Sequence, residues 1–219
     1  MLNKIIFFFQ ISIIKTIYLN LKYFSIKDAL KLPILVYPNT KIEKAEGQIV
    51  CECPIKRGII SIGKHGLGNR LHTIWLVSGK IVFHGNVNFG SGTKISVGRG
   101  ATLSIGKNFS VTGDTSIICK KHVNIGDNSI LSWDCLIMDT DYHHIYDDKG
   151  VEINKPSPIF IGDNVWIACR TTILKGSKIS NGSIIACSAL ITSDIDTPNS
   201  IIGGGNKLKF IRENIRWKA

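Results

Sequence analysis

From Ile161 to Ile191 the chain reads IGDNVW, IACRTT, ILKGSK, ISNGSI, IACSAL and a closing I, so that an isoleucine recurs every sixth residue. The fifth place of each rung is held by Val165, Thr171, Ser177, Ser183 and Ala189, all small or β-branched, and the second place is small except at Leu174. An α-helix turns every 3.6 residues, so no amphipathic helix has this period. A hexad suits a short strand followed by a tight corner, with one large aliphatic side chain per rung directed into a narrow interior. Three such rungs, ~18 residues, close one triangular coil.

The register continues backwards through rungs beginning at Ile105, Val111, Ile117, Ile125, Leu131 and Ile137. It carries two departures: Phe109 in a corner place, and two extra residues in IICKKHVN. Earlier still, Val87 to Leu103 alternates as strands do, with Gly90, Gly92, Gly98 and Gly100 as breakers. The expected architecture is an all-β solenoid over residues 58–205 with roughly seven coils. An N-terminal helical and extended cap would occupy 1–57, and a short helix 206–219, where Leu208, Ile211, Ile215 and Trp217 fall near one face.

A chain of 219 residues with 44% hydrophobic content can build one such domain. Its formal charge of +11 is scattered, with no basic run of five, so no nucleic-acid partner is expected. Six cysteines without a paired C-x-x-C arrangement read as reduced thiols of a cytoplasmic protein. The apolar stretch Ile5 to Ile14 is broken by Lys15 after ten residues. A membrane-spanning helix needs ~20. Leu2 to Leu32 therefore suggests a helix that packs on the first coil or makes peripheral contact with a membrane, at its inner face, before Pro33 and Pro38 end it.

Between Ile137 and Ile161 the rungs stop for a loop at 138–158 holding Asp139, Asp141, His143, His144, Asp147, Asp148 and Glu152. Loops on a rigid scaffold are the usual place for function, and histidines beside acids suit general-base chemistry. Adjacent histidines project in different directions if extended, so no metal is expected here. His65, His72, His84 and His122 sit without acid partners and read as structural.

The rungs, followed by DTDYHHI, IGDNVWIACRTTILKGSKIS, a GGGN turn and a basic tail ending in Trp, resemble the hexapeptide-repeat acyltransferases. Within that family the chain is most similar to the O-acetyltransferases of capsule, O-antigen and other cell-surface sugars. The resemblance implies a left-handed parallel β-helix, acetyl-CoA as co-substrate, a sugar or polysaccharide acceptor, and a homotrimer with sites between neighbouring subunits. It implies His143 as catalytic base with Asp141 orienting it, and Asp139 and His144 near the acceptor. Trp166, Ala168, Lys175 and Lys207 would line the acetyl-CoA site. Ala168, Cys169 and Arg170, with Lys207 and Leu208, depart from the family's usual small residues and Pro-Ala turn. Alternatives are N-acetylation of a nucleotide-linked amino sugar, a γ-carbonic-anhydrase-like zinc enzyme, and a non-catalytic solenoid.

Overall fold

The computed structural model describes residues 11–64, 72–203 and 209–212, the last four as backbone. Helices α1 (Ile13–Tyr23) and α2 (Ile26–Ala29) precede a prism of parallel coils. The first coil is β1 (Ile34–Val36), β2 (Thr40–Ala45) and β3 (Gln48–Cys51). The second is β4 (Ile60–Lys64), β5 (Thr73–Val77) and β6 (Lys80–Phe83); the third is β7 (Val87–Gly90), β8 (Lys94–Val97) and β9 (Thr102–Ile105). Next come β10 (Phe109–Gly113), β11 (Ser116–Cys119) and β12 (His122–Ile125), then β13 (Ile130–Trp133), β14 (Leu136–Met138) and β15 (Ile159–Ile161). The sixth coil is β16 (Trp166–Ile167), β17 (Thr172–Leu174) and β18 (Lys178–Ile179). A seventh has β19 (Ile184–Ile185) and β20 (Leu190–Ile191), its third side being a single bridge of Ile195 to Ile179. Strands β21 (Ile201–Gly203) and β22 (Lys209–Arg212) close the far end.

Every third strand pairs, which gives three flat faces and a left-handed parallel β-helix. The first face runs from β1 to β21, the second from β2 to β20, the third from β3 to β18. The hexad reading holds residue by residue: Ile161, Ile167, Ile173, Ile179, Ile185 and Ile191 are buried, as are Val165, Thr171, Ser177, Ser183 and Ala189 in the corners. Towards the N-terminus the interior becomes aromatic. Phe109, Phe89, Phe83 and Trp75 stack edge to face at centroid spacings of 6.3 Å, so Phe109 fills the core where the hexad has a small corner residue.

The IGDN sequences have a local cause. A Cβ on Gly106, Gly126 or Gly162 would lie 2.2–2.6 Å from atoms of the next coil, while Asn108, Asn128 and Asn164 take the left-handed φ that turns the corner. Side chains at this corner form a ladder: Lys107 N–H donates to Asp127 Oδ1, Asp127 N–H to Asp163 Oδ1, and Asp163 N–H to Asn181 Oδ1, at 2.7–2.9 Å.

Two expectations are corrected at the ends. The parallel sheets begin at Ile34, inside the segment expected to be a cap, because Ile34, Val36, Ala45 and Ile49 already enter the common core. At the other end 209–212 is not helical but an antiparallel strand, β22, bonded to the open edge of β21. A terminal strand edge needs such a partner. The rest of the expected tail helix, and Lys207 with it, lies outside the described residues.

At the N-terminal edge α1 does the same work with side chains. Asn20 Nδ2 donates to the Ile34 carbonyl at 2.7 Å while its Oδ1 accepts from Ile34 N–H at 3.0 Å, and Thr16 Oγ1 accepts from Val36 N–H at 3.0 Å. A buried amide and hydroxyl thus stand in for the strand that β1 lacks.

Candidate active site

The loop leaves the prism after β14 and returns at β15, at the edge between the second and third faces. Its root is built by Asp139, which is fully buried. The carboxylate accepts from the N–H groups of Lys120, Lys121 and His122 at 2.6, 2.7 and 2.8 Å. These three N–H groups belong to the turn that the two extra residues of IICKKHVN create, so the departure from the hexad and the buried acid explain each other. Asp139 is committed to the backbone, and the expectation that it meets an acceptor is corrected.

Asp141 is also engaged elsewhere. Its Oδ2 accepts from Lys175 Nζ at 2.5 Å and from Asn154 Nδ2 at 3.0 Å. The Lys175 bond first, then Asn154, hold its carboxyl below the usual carboxylate range. Lys175 donates in addition to the Asn154 carbonyl at 2.8 Å, so it anchors the loop on the corner after β17 rather than facing a cofactor. Asp141 is thereby not the partner of the His143 ring. Asn154, which the motifs did not single out, is the hub: it binds Asp141, the His143 carbonyl (2.7 Å) and Ile145 N–H (2.6 Å).

The histidines differ. His143 is pinned by its backbone, its N–H donating to the Asp141 carbonyl at 2.7 Å, while its ring makes no hydrogen bond among the described residues. Tyr142 before it takes a φ of 63°, a costly conformation for a bulky residue, held by Tyr142 N–H to Thr140 Oγ1 and by Lys120 lying 5.0 Å from the phenol ring. His144 carries the imidazole–carboxylate pair, with Nδ1 2.8 Å from Glu152 Oε1. With Nδ1–H donating to a carboxylate, Nε2 keeps its lone pair. Beyond them the loop turns as a hairpin whose apolar side chains Ile145, Tyr146, Val151 and Ile153 are all more than half exposed.

Trp166 lies on β16 in the first face, across the prism from the loop edge. The residue is 39% exposed, and its Nε1 donates to Ser132 Oγ at 3.2 Å. Ala168 sits half-buried at the next corner with its N–H bonded to the Ile185 carbonyl, so that N–H is not free for an oxyanion. One chain therefore does not bring Trp166 and the two histidines together. His84 is corrected too: it has an acid partner, with Nδ1 3.3 Å from Glu52 Oε2. Among the described residues no three His, Cys, Asp or Glu groups gather as a metal site would need. His65 lies outside the described residues.

No protein-family profile matches the chain. Residues similar to galactoside O-acetyltransferase of Escherichia coli extend over 116 positions at 31% identity, 52% of this chain and 55% of that protein. The chain spans about half the length of the curated relatives it matches. Among solved structures, a maltose O-acetyltransferase from Clostridium difficile superposes with a TM-score of 0.50 at 28% identity, covering 60% of this chain and 67% of that one. The polysialic-acid-specific acetyltransferase NeuO superposes with a TM-score of 0.57 at 22% identity, covering 82% and 72%, a likeness of fold. In coil architecture and in sequence the chain is thus similar to hexapeptide-repeat acetyltransferases.

Proposed function

We propose that the chain is an O-acetyltransferase that moves an acetyl group from acetyl-CoA to a hydroxyl of a sugar in a surface polysaccharide or its precursor. The observation that carries this is the long loop between β14 and β15 that interrupts the hexads: a rooted arm presenting two imidazoles, in a chain similar to sugar O-acetyltransferases. His143 acts as the base. Its peptide is held on both sides, and its ring nitrogens remain available to a substrate. The imidazole takes the proton of the sugar hydroxyl as its oxygen attacks the thioester carbonyl, and returns it to the thiolate of CoA as the tetrahedral intermediate collapses. The His144–Glu152 pair supports a second assignment, in which His144 is the base and Glu152 fixes its tautomer.

The site is completed by a second subunit. Trp166 and the loop lie on opposite sides of one prism, so a donor pocket using both forms where the loop of one protomer meets the first face of the next, in a homotrimer. The exposed apolar hairpin tip and the half-exposed Trp166 are the surfaces such an assembly covers. Use of acetyl-CoA places the enzyme in the cytoplasm. The test is acetyl transfer from acetyl-CoA to galactosides and to surface oligosaccharides, followed by CoA release and mass spectrometry. Transfer to an amine alone makes the enzyme an N-acetyltransferase, and stoichiometric zinc in the purified protein overturns the transferase reading.

A further inference from the structure

Helix α1 is polar inside and apolar outside. Thr16 and Asn20 face inward with Leu19, because the edge of β1 needs hydrogen bonds. At ~100° per residue, Ile13, Ile17, Leu21, Ile14 and Tyr18 then follow one another over a continuous outer arc of about 140°. They are 47–83% exposed, Ile14 the most. Helix α2 extends the patch with Ile26 and Leu30, 74% and 78% exposed. Soluble surfaces rarely leave so many large apolar side chains in one place without a partner.

We propose that this end of the prism docks on an anionic phospholipid surface, α1 lying in the headgroup layer with its apolar arc towards the acyl chains. Charge selects this occupant over a second copy of the same face. Lys22 follows Tyr18 around the helix and borders the arc, next to Lys15, whose ammonium donates to the Pro38 and Thr40 carbonyls at 3.2 and 2.6 Å, and Lys27 and Lys31 flank Ile26 and Leu30. Asp28 is the one acid of 11–32, and Lys31 already pairs with it at 2.8 Å. Two such faces packed on each other would set lysine against lysine, whereas a leaflet carrying phosphates offers each a counter-charge. Beside the arc a cavity of about 600 Å³, lined in part by Ile14, Lys15, Tyr18 and Lys44, leaves room for a headgroup. Continuity in sequence points the same way, since MLNKIIFFFQ immediately precedes Ile11. The geometry is that of a helix lying on a membrane, and among the described residues no helix is long and apolar enough to cross one.

The inference stands apart from the acetyltransferase reading, because its readout is binding alone. Full-length protein is sedimented with vesicles of phosphatidylcholine, with and without phosphatidylglycerol. The expected result is strong binding to the anionic vesicles that weakens with salt. The variant I14S/Y18S/L21S should lower the partition coefficient at least about tenfold, since each side chain loses its apolar burial. K22Q/K27Q should weaken binding to anionic vesicles alone. Because all five side chains point outward, the thermal midpoints should stay close to that of the unchanged protein. Failure to bind either vesicle, binding by the serine variant equal to that of the parent, or a halving of the mass in light scattering when the arc is removed would each overturn the proposal.

Discussion

His143 and His144 are neighbours with different surroundings, and single substitutions separate them. Loss of a positioned general base costs ~10² to 10⁴ in rate. His143→Ala is expected to lower kcat at least about a hundredfold with the KM for acetyl-CoA little changed, and His144→Ala about tenfold at most. Steady-state kinetics on both decides, and the reverse order hands the role of base to His144 with Glu152. Asp139 makes a different kind of claim. Three backbone N–H groups converge on one buried carboxylate, and each hydrogen bond to a charged group contributes roughly 1.5–3 kcal/mol. Asp139→Ala should therefore destabilise the fold by about 3 kcal/mol or more in urea unfolding, an effect that an acceptor-binding residue would not have. The sequence marked Asp139 as an acid near histidines but could not show that the carboxylate points into the prism. That depends on where the two-residue excess at Lys120–Lys121 places its N–H groups, one coil away.

At the scale of elements, the loop is an arm held at its root by Asp141, Lys175 and Asn154. Asp141 has a carboxyl pKa lowered by these partners, so its contribution is present above the ordinary carboxylate value and is lost as pH falls through the depressed one. Asp141→Asn should therefore speed hydrogen exchange of loop amides relative to the parent protein at neutral pH, and the difference should fade as pH falls through the depressed value, where the Asp141 carboxyl becomes neutral. An equal difference at all pH values would mean that the pair is not what holds the arm. The hexads were legible because the first and fifth places are buried in every coil of Ile161–Ile191, and burial of one side chain per rung enforces the period. The first coil was not. Ile34, Leu35 and Val36 are all buried, Ile34 and Val36 in the common core and Leu35 in a separate cluster with Ile11 and Tyr37, so no hexad is expressed there. Strand β22 was missed for a related reason: a segment that pairs with one open edge has no need of the internal period, and its apolar spacing imitates a helix. Asn154 carried no signal because its partners are mostly backbone groups gathered by the loop's return.

On the scale of the whole molecule, the proposed shared site asks two surfaces of the prism on opposite sides, a loop edge and a Trp166 face. If acetyl-CoA binds between protomers, saturation a hundredfold above Kd should raise stability by ~2.7 kcal/mol, whereas a non-catalytic solenoid shows no shift. If the indole lines the donor pocket as proposed, Trp166→Ala should raise the KM for acetyl-CoA more than it lowers kcat. The shared site makes a sharper demand. His143→Ala chains keep a sound Trp166 face and Trp166→Ala chains keep a sound loop, so unfolding and refolding an equal mixture creates interfaces where both are intact. In a cyclic trimer with two kinds of subunit, one interface of the three pairs the sound loop with the sound face, and random assembly makes about three-quarters of trimers mixed. At acetyl-CoA concentrations where each variant alone is nearly inactive, the mixture should therefore recover about one quarter of the unmutated activity. A site contained within one chain predicts no recovery at any mixing ratio, and a monomer in light scattering removes the premise altogether.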